Sequence, residues 1–481
     1  MLKTTCRSSP LLAASLLLGA FPLAARAQLS AIATWGGNNN GQLGDGTLTE
    51  RHFPAVVPGV TCVDAFGAGA GHVLVDLHNY SFKAWGRNDL GTLGDGTGID
   101  RLSPVVTFAF PEFALLTGGS VHSHGVTPEG QLYSWGWGDY GQQGTGTTAS
   151  NYTPVAVVGM ASVVSVSAGH VHSIAALASG GVRTWGYNAS GQLGDGTTTQ
   201  RNAPITVAGL PPIVEVAAGS YFSLARTGVG AVYAWGDNSA GELGDGTGVS
   251  SPLPVQVMLP TPALHICAGS QFSLAVVSGG LVYSWGRNTF GQLGDATFTD
   301  RLTPVQVPGL TNVVAVGASN STSYAITSTG RLYAWGSNFR GQLGQGDLNG
   351  RAVPTEVLAP LPGFKFVKVA AGTEGEFVAA LIQAIDDAPI RCQPADVAYD
   401  DGAGLPGTTS CDGRTNSGVN EGDYNAFFNT FFNDQAVGSA ADIANDDGTP
   451  LPPFGPLLSN NGVNEGDYNC FFNSFFNGCP V

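Results

Sequence analysis

Trp185-Gly186-Tyr187-Asn188-Ala189-Ser190-Gly191-Gln192-Leu193-Gly194-Asp195-Gly196-Thr197, with Arg201 and Pro204 downstream, is one of seven copies of a single pattern. The tryptophan returns at 35, 85, 135, 185, 235, 285 and 335, every 50 residues without slippage. Its neighbours keep register, from Trp35-Gly36, Gly41, Gly44 and Pro54 to Trp335-Gly336, Gly341, Gly344 and Pro354. An Ala/Gly pair recurs as well, as at Ala168-Gly169, Ala218-Gly219 and Ala268-Gly269. A period of this length marks a chain of stacked supersecondary units.

Within one unit, Ile213-Val214-Glu215-Val216-Ala217-Ala218 alternates apolar and small residues, and Phe222-Ser223-Leu224-Ala225 follows. Gly228 and Gly230 turn the chain into Val232-Tyr233-Ala234-Trp235, and the loop 241–247 leads to Pro254-Val255-Gln256-Val257. These are short strands of period 2 with no helical period. Four per 50 residues, seven times over, predict a radial propeller. Before Trp35 stands only the strand Ala31 to Trp35, and after the seventh tryptophan Phe366 to Leu381 carries an orphan Ala371-Gly372. Together these ends supply one blade and remove the open edges of the ring. The expected fold class is all-β: a seven-bladed β-propeller closed by N- and C-terminal strands of one blade, with a small α-helical acidic C-terminal module.

The pattern Trp-Gly-x-Asn-x-x-Gly-Gln-Leu-Gly-Asp-Gly-Thr, then Arg-x-x-Pro-x-x-Val, resembles the regulator of chromosome condensation repeat over all seven copies. The resemblance implies a seven-bladed propeller. It also implies nucleotide exchange on a small GTPase for the eukaryotic founder, a substrate that an exported chain does not meet. The secreted propeller-type β-lactamase inhibitors, which bind a partner protein across one face, are closer in setting.

Columns that recur in seven equivalent places belong to architecture: tryptophan packing between blades, glycine supplying positive φ. Asp45/Arg51 recurs as Asp95/Arg101, Asp195/Arg201 and Asp295/Arg301, predicting an ion pair that braces each loop. The Trp135 repeat loses both members (Thr145, Asn151), while Asp245/Ser251 and Gln345/Arg351 keep one. Function is expected where the repeats disagree. Two residues after each tryptophan stand Gly37, Arg87, Trp137, Tyr187, Asp237, Arg287 and Ser337. Five after it stand Asn40, Leu90, Tyr140, Ser190, Ala240, Phe290 and Arg340. Equivalent propeller loops open on one face, and Trp, Tyr and Arg are the residues enriched at binding hot spots. The candidate partner-binding residues are therefore Arg87, Trp137, Tyr140, Tyr187, Arg287, Phe290 and Arg340, against tolerated loop variation as the plainer reading.

His72, His122 and His172 share a column that continues as Phe222 and Phe272. The H-x-H spacings His122/His124 and His170/His172 place two imidazoles on one face of a strand, as in some zinc or copper sites. Phenylalanine in the same column favours a satisfied core histidine instead. No serine elbow, paired catalytic carboxylates, P-loop or dinucleotide fingerprint accompanies them. No cofactor is expected in the propeller.

The chain begins with Lys3 and Arg7, an apolar run from Leu11 to Leu23 and Ala25-Arg26-Ala27. That is the layout of a secretory signal over residues 1–27, too short for a membrane span. The protein is expected to be secreted, in association with the cell surface or free of it. The net charge is −16, and residues 384–481 carry 14 Asp/Glu against two Arg. This asymmetry separates an acidic domain, 384–481, from the repeat body, 28–383. With four lysines in the whole chain, nucleic acid is not an expected partner. Cys392, Cys411, Cys470 and Cys479 suggest two disulfides with three open pairings; Cys62 and Cys267 are expected to be buried free thiols.

The acidic domain contains its own duplication. Asp396 to Gly402 is echoed by Asp442 to Gly448, and Gly418 to Asn425 by Gly462 to Asn469. Tyr424, Phe427, Phe428, Phe431 and Phe432 then follow helical spacing, as do Tyr468, Phe471, Phe472, Phe475 and Phe476. Clustered oxygen donors before a helix suit calcium. The halves resemble dockerin loops, which implies Asp396, Asp400, Asn420, Asp423, Asp442, Asp446, Asn464 and Asp467 as ligands and a docking role for the module. Ala398 and Ala444 depart from that pattern where a third oxygen is usual, and a disulfide-clasped helical pair without metal is the other reading.

The functional expectation is an exported, non-enzymatic binding protein. The propeller face engages a protein or polysaccharide, and the tail docks to a receptor. An extracellular polysaccharide-acting enzyme and an enzyme inhibitor are the alternatives.

Overall fold

Alternating apolar and small residues, broken by glycine every few positions, give strands too short to stand alone, so each unit folds by pairing its own four. In the Trp235 unit these are Ile213–Ala218, Phe222–Thr227, Val232–Gly236 and Ser251–Gln256, hydrogen-bonded in that order. The register runs Val216 to Ala225, Ala225 to Tyr233 and Tyr233 to Gln256, all antiparallel. The computed structural model describes residues 30–78, 81–107 and 111–385, and the short pairing of Thr408–Thr409 with Thr415–Asn416. Among the described residues, seven such four-stranded sheets form a seven-bladed β-propeller. No helix among them is long and apolar enough to cross a membrane.

The ring closes as the two ends of the repeat array predict. Phe364–Ala370 and Phe377–Ala384 supply the inner pair of one blade, and Ser30–Gly36 and Arg51–Thr61 the outer pair. Across the seam Ala33 lies opposite Ala380 and Trp35 opposite Val378.

All seven repeat tryptophans are fully buried. Each indole N–H donates to a backbone carbonyl of the preceding blade: Trp235 Nε1 to Gln192 O at 2.9 Å, and, across the seam, Trp35 Nε1 to Gln342 O at 2.9 Å. The tryptophan is thus the wedge between blades, and its truncation to alanine costs roughly 3–5 kcal/mol. Two glycines show why the frame around it is kept. At Gly194, with φ of +70°, a Cβ would stand 2.7 Å from Trp235 Nε1. At Gly236, with φ of +107°, it would stand 2.5 Å from Tyr221 O.

The predicted loop pairs form, with Asp45–Arg51 at 2.5 Å, Asp95–Arg101 and Asp195–Arg201 at 2.7 Å, and Asp295–Arg301 at 2.6 Å. Arg351, which lacks its aspartate at Gln345, turns to Asp347 at 2.6 Å. In the Trp135 repeat the buried Gln143 replaces the usual leucine and rebuilds the brace, donating to Gly136 O and accepting from Asn151 Nδ2. Cys267 is a free thiol whose pKa burial pushes up to about 12. Cys62 is disulfide-bonded and corrects the expectation of a second free thiol.

The expected signal segment, the tail cysteines and the candidate calcium ligands Asp396, Asp400, Asn420, Asp423, Asp442, Asp446, Asn464 and Asp467 lie outside the described residues.

Candidate functional site

Each blade sends two connections to the same face of the ring: the tight turn between its inner two strands and the long loop after the tryptophan strand. A backbone hydrogen bond ties them together in every repeat. The residue two after the tryptophan donates its N–H to the inner turn, as Arg87 N to Gly71 O at 2.7 Å, Trp137 N to Val121 O at 2.9 Å and Tyr187 N to Val171 O at 2.9 Å. Asp237, Arg287, Ser337 and Gly37 make the same bond to Tyr221, Gln271, Ser321 and Glu376, each at 2.9 Å. The variable column therefore rings the turns that surround the axis.

On one side of this face the aromatic residues converge. Trp137 and Tyr140 meet edge to face with ring centroids 5.3 Å apart, and Tyr140 meets Tyr187 at 5.0 Å. The series continues to Tyr221 at 6.1 Å and from Tyr221 to His170 at 5.7 Å. Five rings from three neighbouring blades, all half-buried, make one continuous wall. Trp137, Tyr140 and Tyr187 were legible as candidates, whereas Tyr221 was missed and His170 was read only as half of an H-x-H pair. They belong to a third variable column, the two positions after the Ala/Gly pair: Ser120-Val121, His170-Val171, Ser220-Tyr221, Ser270-Gln271.

The other predicted residues lie elsewhere on the face, each engaged locally. Arg87 pairs with Asp89 at 2.7 Å, and Arg340 with Glu50 at 3.3 Å and Glu376 at 3.4 Å. Arg287 donates to Gln271 Oε1 and to Thr289 at 3.2 Å. Phe290 packs on Phe339, centroids 5.5 Å apart, in a second and smaller aromatic patch.

The closing blade adds the remaining part. Its inner turn, Gly372-Thr373-Glu374-Gly375-Glu376, is longer than the others and reaches over the axis. Gly372 N donates to Gly69 O at 3.2 Å, and Asn320 N to Gly375 O at 3.4 Å. Glu374 Oε1 accepts from Ser220 Oγ and from Ser270 Oγ at 3.2 Å, residues of blades that do not adjoin its own. Burial, then the charge of Glu374, then Tyr187 and Tyr140 push the Tyr221 phenol above its ordinary range. The carboxylate and the aromatic wall thus share one electrostatic environment. Beneath the turn runs a central channel of about 360 Å³, lined by the small inner-strand residues and by Lys368, whose Nζ donates to Phe66 O at 2.8 Å.

The histidine column is structural. Ser123, Ser173 and Ser223 donate their hydroxyl hydrogens to Thr92, Gln142 and Gln192 carbonyls at 2.8, 2.8 and 2.9 Å. Their oxygens are left to accept from histidine Nε2: His72 on Ser123 at 2.8 Å, His122 and His124 both on Ser173 at 2.9 and 2.8 Å, His172 on Ser223 at 3.1 Å. Burial pushes His72, His124 and His172 down to about 3, and His122 well below the ordinary imidazole range. Each is a neutral cross-blade strut. No group of three or more His, Cys, Asp or Glu is placed to hold a metal among the described residues.

Residues 148–380 match the RCC1-like domain, and residues 33–75 match the regulator of chromosome condensation (RCC1) repeat. No curated protein matches the chain. Among solved structures, human WBSCR16 is similar at 22% identity and a TM-score of 0.66, covering 74% of this chain and 100% of its own. Prp20p from Saccharomyces cerevisiae, studied for its binding to Gsp1p and histones, is similar at 22% identity and 0.66, covering 75% and 93%. Yeast RCC1 (Prp20) bound to Kap60 gives 22%, 0.67, 75% and 90%. At this identity the likeness establishes the fold.

Proposed function

Since the repeats of this chain belong to the regulator of chromosome condensation family and build its seven-bladed propeller, we propose that the chain is a non-enzymatic binding protein whose loop face receives a protein partner. One observation carries the reading: the half-buried wall Trp137–Tyr140–Tyr187–Tyr221–His170, contiguous across three blades. Large aromatic side chains give much contact area for few rotatable bonds, and a rigid scaffold has already met the cost of ordering them. Partners of other propellers carry no weight here, because a fold hosts many unrelated functions.

The setting follows from the sequence. The N-terminal signal exports the protein, and the acidic module 384–481 docks it to a receptor through calcium-loaded loops. Trp137→Ala combined with Tyr140→Ala is expected to abolish retention of the partner from an extracellular extract while moving the melting temperature by less than about 2 °C. Retention that survives the double substitution would sink the reading. Loss of both binding and stability would make the two rings structural.

A further inference from the structure

The aromatic wall ends at a carboxylate with an unused oxygen. Glu374 Oε1 takes the hydroxyls of Ser220 and Ser270, themselves 2.9 Å apart, while Oε2 accepts from no group among the described residues. No basic side chain pairs with Glu374 among them either. The arginines of this face are held by Asp89, by Gln271, or by Glu50 and Glu376. Asp139 and Asp237, in the loops after Trp135 and Trp235, pair with no cation among the described residues: Asp237 accepts from Ser239 and Ser250. One side of the face is therefore aromatic and anionic, and its carboxylate is fixed by serines across the axis from its own blade.

We propose that the partner presents an arginine or lysine side chain to Glu374, seated against the Tyr140–Tyr187–Tyr221 rings. This rests on the reading of the loop face as the partner site. Three features of the geometry support it. A half-buried carboxylate without a counter-charge is costly, and an incoming guanidinium or ammonium offsets that cost. The rings beside it offer negative faces that attract a cation. The serine hydroxyls occupy one carboxylate oxygen and leave the other without a donor among the described residues. A neutral sugar would use stacking platforms, but here each ring is met edge-on by its neighbour, which breaks up any flat platform.

The test uses the full chain with acetyl-Gly-Arg-Gly-Arg-Gly-amide, its twin with citrulline in place of arginine, and cellohexaose, followed by calorimetric titration. Citrulline keeps the shape of arginine without its charge. The arginine peptide is expected to bind at least about tenfold more tightly than the citrulline peptide, a difference of roughly 1.4 kcal/mol. Glu374→Gln, which retains the acceptor for both serines and is expected to melt as the parent does, should erase that preference. Tyr187→Leu should weaken the arginine peptide several-fold. Equal affinity for the two peptides, no binding of the arginine peptide, an unaltered preference in Glu374→Gln, or cellohexaose bound instead would each overturn the proposal. Partner capture lost in the Trp137/Tyr140 double variant but intact in Glu374→Gln would leave the face standing and remove the cation. Capture intact in both would remove the face itself.

Discussion

Glutamine at the position seven after the tryptophan is the usual choice in this chain, as at Gln42, Gln142, Gln192, Gln292 and Gln342, but the Trp235 repeat has Glu242. Glu242 is fully buried; its Oε2 accepts from Ala240 N at 2.8 Å and its Oε1 has no partner. Burial, joined by the charge of Asp237 and opposed by backbone donors and Arg287, raises its pKa to about 7. The unfolded chain titrates near the ordinary 4.5. Between these values the folded protein holds a proton that the unfolded chain has released. The contribution is complete below pH 4.5 and is lost as pH climbs to 7. A shift of this size is worth about 3 kcal/mol at pH 8. Glu242→Gln keeps the acceptor for Ala240 and removes the ionisation, as Gln142 and Gln192 do in their repeats. Its melting temperature should lie within about 1 °C of the parent at pH 5 and exceed it by roughly 4 °C at pH 8, taking about 2.1 cal/mol/K per residue over the propeller. Scanning calorimetry of both proteins from pH 5 to 8 measures the difference, in which every other titrating group cancels. A gap that stays constant with pH, or that widens toward pH 5, would refute the buried-acid argument.

His172→Phe copies the Phe222 and Phe272 blades and removes an imidazole held at about 3 in the fold. That histidine's contribution is present above pH 6.5 and lost as pH falls, so the variant should be about 2 kcal/mol less acid-sensitive between pH 6.5 and 5 in denaturant titrations; an unchanged acid limb would mean that His172 is protonated in place. Calcium should raise the melting temperature of the full chain, and Asp423→Ala with Asp467→Ala should abolish that rise; a calcium response that persists in the variant would remove these residues from the ligand set.

The propeller was legible because its determinants are repeated. Trp35 and Gly36 follow the same steric rules as Trp335 and Gly336, so seven copies report one solution, and the unmatched ends fix where the ring closes. The site was only half legible because its parts obey different rules. Trp137, Tyr140 and Tyr187 stand out as departures inside a strict frame. Tyr221 and His170 lie in a turn whose flanking glycines attract notice first. Glu374 could not be placed from sequence at all: the partners of its carboxylate, Ser220 and Ser270, lie more than one hundred residues away and meet it only through the ring. The arginines were equally visible, yet what they touch depends on neighbours such as Asp89 and Glu50, one of them nearly three hundred residues distant from Arg340.

The strictness of the frame and the freedom of the face have the same cause. The backbone bond from the residue after Trp-Gly to the inner turn involves no side chain, so any residue at that position is held in place without being specified. Seven such bonds fix the starting points of seven side chains around the axis, and the tryptophan wedges keep the blades from shifting against one another. A ligand-binding surface assembled on them loses little conformational entropy when it is occupied. The affinity of the proposed face would then depend on which side chains stand in those columns, and in this chain Trp137, Tyr140 and Tyr187 are gathered on one side, apart from Phe290, beside the carboxylate that the closing turn carries to Ser220 and Ser270.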